Sequence, residues 1–319
     1  MTLLPLVKPG DRWSLIMLAL VVVAAVLIPS PFSGRHAGAV FDLIHFPAFA
    51  GVCWYVLRLW ERGNSSQQRH PRKVVVCLAV GAATLEGAQW LTGRSPSWHD
   101  LLANVTGVCA GAVVWSAWRV ENRLRRSALC LLVVIVGFAI SYHPALIVHD
   151  GYRQFRDFPL LARFESDAEL QRWWRRDISL QRSMRHVTEG RFSGKLIVEP
   201  GAYPVMVMGN LRQDWSEYQQ LKVEFYLSQD SPRPAETVRL RIADRPDFVN
   251  DHDAFVQDFQ LLAGQTTTIT VSVSDIAAGP RNRELELRRI VSLQWLFNDI
   301  QQPFTVYIDN LRLEPPVRN

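Results

Sequence analysis

The sequence predicts a multi-domain protein, an all-α five-helix transmembrane bundle followed by an all-β sandwich of the jelly-roll type. Three features carry that expectation: a composition step near residue 148, apolar runs of spanning length before it, and short alternating runs after it. The bulk figures, 48% hydrophobic residues and a mean hydropathy of +0.01, conceal the step because they average two halves written for different solvents. The expected division is 1–148 for the helical bundle, 149–159 for a juxtamembrane linker, 160–314 for the sandwich and 315–319 for a tail.

A helix needs about 20 mostly apolar residues to cross a bilayer. Five segments qualify: Trp13 to Ile28, Ala39 to Leu59, Val74 to Trp90, Leu101 to Trp118 and Ala128 to Val148. Arg58, Arg62, Arg69, Arg72 and Lys73 crowd one connection, and Arg119, Arg123, Arg125 and Arg126 crowd another. The connections Ser30 to Gly38 and Thr92 to His99 hold only Arg35 and Arg94. Basic loops stay in the cytoplasm, so the N-terminus is expected inside and the C-terminal domain outside. An alternative for the first run is a cleavable signal peptide, with Lys8 and Arg12 before the apolar core and Ala37-Gly38-Ala39 after it; the later topology is the same either way.

The formal charge of +5 and pI near 9.2 come from these loops. With neither an aromatic-basic stripe nor a recognition-helix pattern, they argue against a nucleic-acid partner. Cys53, Cys77, Cys109 and Cys130 all fall in apolar runs without CxxC spacing, which argues against a zinc or disulfide framework.

An ionisable side chain within a span costs about 2.5–3.5 kcal/mol on insertion scales, so each one needs a reason. His45, Glu86, Gln89, Arg94, Asp100 and Asn104 are expected to gather near the extracytoplasmic surface. Glu86 and Gln89 are three apart, Asp100 and Asn104 four apart, and each pair shares a helix face. Gly107 and Gly111 continue the Asn104 side as a ridge that permits close packing.

Together these residues resemble the VanZ-like family, over about residues 38–118: His45-Phe46, Glu86-Gly87-Ala88-Gln89, Arg94, Asp100, Asn104, Gly107 and Gly111. The resemblance implies a bacterial cytoplasmic membrane, a link to the cell envelope and to glycopeptide-antibiotic resistance, and no settled reaction. On a functional reading, Arg94 receives an anionic headgroup and His45 with Glu86 holds or moves a proton. Asp100 is a further catalytic candidate, and Gln89 and Asn104 are ligand-binding candidates. The plainer alternative is that these groups hydrogen-bond the helices together. A metal site from His45, Glu86, His99 and Asp100 has suitable donors, but no HxxH or HxxxH spacing supports it.

Tyr142 to Asp157 has scattered charge and no clear period, so it reads as a linker. Beyond it, Lys195 to Glu199, Leu221 to Leu227, Val238 to Ile242, Thr266 to Val273 and Phe304 to Ile308 alternate with period two, the mark of antiparallel strands with one buried face. The region is similar to galactose-binding-like jelly rolls of carbohydrate-binding modules. The similarity rests on Phe164-Glu165, Phe192-Ser193-Gly194, Asp214-Trp215-Ser216, Asp275-Ile276 and the closing Ile308-Asp309-Asn310-Leu311-Arg312-Leu313. It implies a structural Ca²⁺ held by Glu165 and Asp309, with hydrogen bonds from those carboxylates to backbone amides as the alternative. Sugar platforms are sought among Trp173, Trp174, Trp215, Trp295, Tyr203 and Tyr218, with Trp173 and Trp174 favoured by their Arg-rich setting.

The functional expectation is a multi-pass inner-membrane protein recognising, or helping to process, cell-envelope glycans or lipid-linked saccharides in contact with membrane lipid. The rivals are an enzyme acting on a phosphate- or sugar-bearing lipid headgroup, and a scaffold for polysaccharide synthesis proteins.

Overall fold

The computed structural model describes residues 13–14, 16–17, 34–63, 70–89, 97–209, 211, 214–246 and 250–316. It divides into two compact units, Met1–His149 and Asp150–Asn319.

The first unit is helical. Its long helices are α1 (Arg35–Gly63), α2 (Pro71–Gln89), α3 (Trp98–Ala117) and α4 (Arg123–Asp157), the last running into the second unit. The first expected run lies outside the described residues except for Trp13, Ser14, Ile16 and Met17, which are helical. Among the described residues, three helical stretches are long and apolar enough to cross a membrane: Arg35–Arg62, Trp98–Ala117 and Arg123–Asp157. The 19-residue α2 is not among them, since Arg72, Lys73 and Glu86 lie near its ends.

The glycine ridge on α3 sets the packing. A Cβ on Gly107 would lie 2.6 Å from the Phe46 carbonyl oxygen, and one on Gly111 would collide with the Ala50 carbonyl. Only hydrogen at these positions lets the two backbones meet. The contacts advance in the same sense on both helices, from His45 against Asn104 to Ala50 and Cys53 against Gly111, so α1 and α3 run parallel. On α4, Gly137 faces Phe46 while Ile140 reaches His99, which makes α4 antiparallel to both. Phe49, Cys53, Leu57, Trp60, Val74, Ala82 and Val108 form the main core.

The second unit is a sandwich of two antiparallel sheets. Its strands are β1 (Leu160–Ala162), β2 (Trp173–Arg176), β3 (Ile178–Ser183), β4 (Ser193–Val198), β5 (Val205–Met208), β6 (Gln220–Leu227), β7 (Ala235–Ala243), β8 (Phe255–Leu262), β9 (Thr266–Ser272), β10 (Ser292–Leu296) and β11 (Phe304–Glu314). One sheet has the order β3-β4-β11-β6-β9 with β1 on β11, and the other the order β2-β5-β10-β7-β8. Strand β6 alternates without fault: Leu221, Val223, Phe225 and Leu227 point into the core, joined there by Trp173, Trp215 and Trp295.

Two sequence expectations need correction. The stretch 149–159 is helical as far as Asp157, because α4 continues unbroken through the charged segment. Several strands escaped notice: β5, Val-Met-Val-Met, is buried on both faces and so lacks the alternation that betrays β6. Strand β11 also runs six residues past Ile308, through a register shift between Asp309 and Arg312 where Asn310 adopts φ of 56°.

Candidate functional site

At one end of the helical unit the polar side chains converge. His45 Nδ1 lies 2.8 Å from Asn104 Oδ1, tying α1 to α3. Ser97 caps α3, its hydroxyl accepting from the Asp100 amide, while its own amide donates to Glu86 Oε1 at 2.9 Å. The chain entering α3 is thus fastened to the end of α2. Asp100 sits in the first turn of α3, where the helix dipole favours a negative charge.

Glu86 is 4% and Asp100 8% exposed, and among the described residues Glu86 Oε2, Asp100 Oδ1 and His99 Nδ1 are buried without a hydrogen-bond partner. His99 Nε2 lies 3.0 Å from the Ile140 carbonyl of α4. Asp42, one turn before His45 on α1, joins them: one ligand atom from each of Asp42, His99 and Asp100 lies within 4.8 Å of the others.

Of the residues expected here, His45, Glu86, Asp100 and Asn104 all stand at this end. Gln89 closes α2, and Arg94 lies outside the described residues. Asp42 was missed, since no motif at its own position marks it; only its spacing of three from His45 hinted at a shared face. The far end of the unit is basic, where Arg119 pairs with Glu61 and lies 3.4 Å over the Trp115 ring.

In the sandwich, the four expected tryptophans part company, and Trp295 is fully enclosed. Trp173 is 2% exposed and stacks on Phe164, and Trp215 is fully enclosed, so neither offers a ring face to a solvent ligand. Their apolar area is spent in the core. Trp174, one residue along β2 and therefore on the opposite sheet face, is 60% exposed. Arg176 shares that face, and its guanidinium donates to the carbonyl of Tyr203, itself 58% exposed.

The strand registers set Trp174 opposite Val207, Val207 opposite Gln294, and Gln294 opposite Arg241, a row that crosses four strands. Gln294 and Ser292 of this face are buried, and Gln294 Nε2 and Ser292 Oγ have no partner among the described residues.

Glu165 and Asp309, the expected calcium pair, are both occupied by backbone amides. Glu165 Oε1 accepts from Arg191 and Phe192, the latter at 3.0 Å. Asp309 Oδ2 accepts from the Thr188 amide at 2.7 Å, the Thr188 hydroxyl and the Glu189 amide, and Oδ1 accepts from Asn310. Burial pushes the Asp309 carboxyl above the usual range, with the amides of Glu189, Thr188 and Asn310 acting in the opposite sense. The two carboxylates pin one loop by hydrogen bonds.

No family model matches the chain, and no curated protein matches it. Among solved structures it is similar to a family 11 carbohydrate-binding module from Clostridium thermocellum, in complex with a β-1,3-1,4-mixed-linked tetrasaccharide. That match has 17% identity over 50% of this chain and 96% of the other, with a TM-score of 0.40. A family 30 carbohydrate-binding module from a cellulosomal cellulase of the same organism matches with 10% identity over 46% of this chain and 93% of the other, at a TM-score of 0.35. An exo-β-agarase matches with 16% identity over 50% of this chain and 25% of its own length, at 0.40. Likeness at this level carries no functional weight.

Proposed function

We propose that this is a multi-pass protein of a bacterial cytoplasmic membrane whose β-sandwich, held outside the cytoplasm, binds a saccharide of the cell envelope. The observation that carries the glycan reading is the face of the five-stranded sheet bearing Trp174. An exposed indole supplies the flat apolar surface on which pyranose C–H faces pack. The same sheet face holds the exposed Arg176, whose guanidinium donors suit hydroxyl groups.

Membrane insertion is supported by α4. Its apolar stretch is almost wholly unburied, with Leu131, Leu132, Val134, Ile135 and Phe138 all more than half exposed. A face of that size is stable against lipid and costly against water. The segregation of Arg58, Arg62 and Arg119 from the acidic and imidazole groups along the bundle agrees with a cytoplasmic basic end.

The experiment is a glycan and peptidoglycan binding screen with the intact protein in detergent, beside Trp174→Ala. Binding by the parent and its loss in Trp174→Ala support the reading; no binding to any envelope glycan, or binding indifferent to Trp174, removes it. Labelling of single cysteines introduced at exposed sandwich positions tests the topology, and labelling only after cell lysis overturns it.

A further inference from the structure

The polar end of the helical unit carries a grouping that the glycan reading does not use. Asp42 comes from α1, and His99 and Asp100 come from the first turn of α3. We propose that Asp42, His99 and Asp100 bind a divalent transition-metal ion, with zinc the best match to one imidazole and two carboxylates.

The tautomer of His99 is the first support. A carbonyl oxygen only accepts, so Nε2, 3.0 Å from the Ile140 oxygen, must carry the proton. The neutral ring then presents the lone pair of Nδ1 to the cluster. Ligating histidines characteristically donate their other N–H to a backbone carbonyl or carboxylate in this way, which fixes the ring and raises its basicity.

The second support is spacing. His99 Nδ1 and Asp100 Oδ1 are 3.7 Å apart, too far for a hydrogen bond, and among the described residues each is buried without a hydrogen-bond partner. Two ligands each about 2.0–2.2 Å from a tetrahedral zinc lie roughly 3.4 Å apart, so the gap is close to that between donors flanking an ion.

The third is charge. A carboxylate oxygen of Asp42 and one of Asp100 lie within 4.8 Å of each other, and two such groups repel unless a proton or a cation lies between them. The N-terminus of α3 and the Gly107–Gly111 ridge hold this arrangement rigid, because α1 cannot slide along α3 without losing the His45–Asn104 bond. Three protein ligands leave a coordination position open, which a phosphate or carboxylate oxygen would fill.

The inference stands apart from the glycan reading and is tested separately. Intact protein in detergent, purified through a tag without histidine, is loaded with zinc or cobalt(II), dialysed and assayed for metal. The expected result is about one ion retained per chain by the parent and by His70→Gln, whose residue lies outside the cluster. Retention falls at least ~10-fold in Asp42→Asn, His99→Gln and Asp100→Asn, since each removes one of three ligands. The cobalt(II) spectrum should lack a thiolate charge-transfer band. Failure of the parent to retain metal, equal retention in all three variants, or a thiolate band from the cysteines overturns the proposal. Should the variants not fold, a zinc-dependent rise in the parent's Tm together with the thiolate-free spectrum upholds it, and the lack of either overturns it.

Discussion

The helical unit and the sandwich treat buried charge in opposite ways. In the sandwich each buried ionisable group meets an opposite charge or a set of amides. Arg172 binds both oxygens of Asp150, Arg283 binds both oxygens of Asp244, and Glu169 accepts from the amides of Arg163, Phe164 and Glu165. In the helical unit, among the described residues, Glu86, His99 and Asp100 each keep a buried polar atom without a partner. Leaving such atoms unsatisfied costs about 1–3 kcal/mol apiece, more for a charge. The sandwich spends its charges on holding shape, whereas the helical end leaves Glu86 Oε2, His99 Nδ1 and Asp100 Oδ1 without a hydrogen-bond partner among the described residues.

The largest effect should come from breaking a pair in the sandwich. Asp150→Ala leaves the Arg172 guanidinium buried without its counter-charge, with only the Leu161 and residue-150 carbonyls to accept from it, at a cost of about 3–5 kcal/mol in urea titrations of the intact protein. The double change Asp150→Leu with Arg172→Met should recover most of that loss. An equal loss in the double variant would mean that packing, rather than charge, governs the site.

Next comes the helical seam. Gly111→Val drives a side chain into the Ala50 carbonyl, so α1 and α3 must part; overpacking of this kind costs about 1–3 kcal/mol. Thermal unfolding in detergent reads it, and Gly51→Ala on α1, where a Cβ meets no atom within 4 Å, should change little by comparison.

A smaller effect is expected with pH. Burial alone would raise the Asp244 carboxyl, but hydrogen bonds from Arg283 and the Glu286 amide outweigh it and hold the group below the ordinary range. Its stabilising contribution is therefore complete above the unfolded value near ~3.9 and is lost as pH falls through the lower folded value. Arg283→Gln should flatten the acid limb of the stability profile, and an unchanged limb would assign acid sensitivity to other groups.

The smallest structural effect belongs to Trp174→Ala. An exposed residue away from the core should shift stability by no more than ~0.5 kcal/mol. Saccharide affinity should fall roughly 10-fold, the loss expected when about 1.4 kcal/mol of ring stacking is removed. A large loss of stability would mean the indole is structural after all.

Much of this was legible in local pattern. The apolar runs marked α1, α3 and α4, strict alternation marked β6 and β9, and the spacing of Gly107 and Gly111 marked a close helix contact. Periods of 3.6 and 2 are written within a few residues, so a single sequence carries them. It also pointed to the residues of the polar end, because ionisable groups in apolar runs are conspicuous by their cost.

What the sequence could not decide is which partners meet. Asp42 acquires its interest only from His99 and Asp100, which lie more than fifty residues away on another helix. Trp173 and Trp174 are neighbours in sequence, yet pleating puts one in the core and the other in solvent. Glu165 and Asp309 are likewise claimed by the amides of a loop distant from both. Each outcome depends on how rigid elements dock over long chain separations, where phase and register are set by packing and no local period records them.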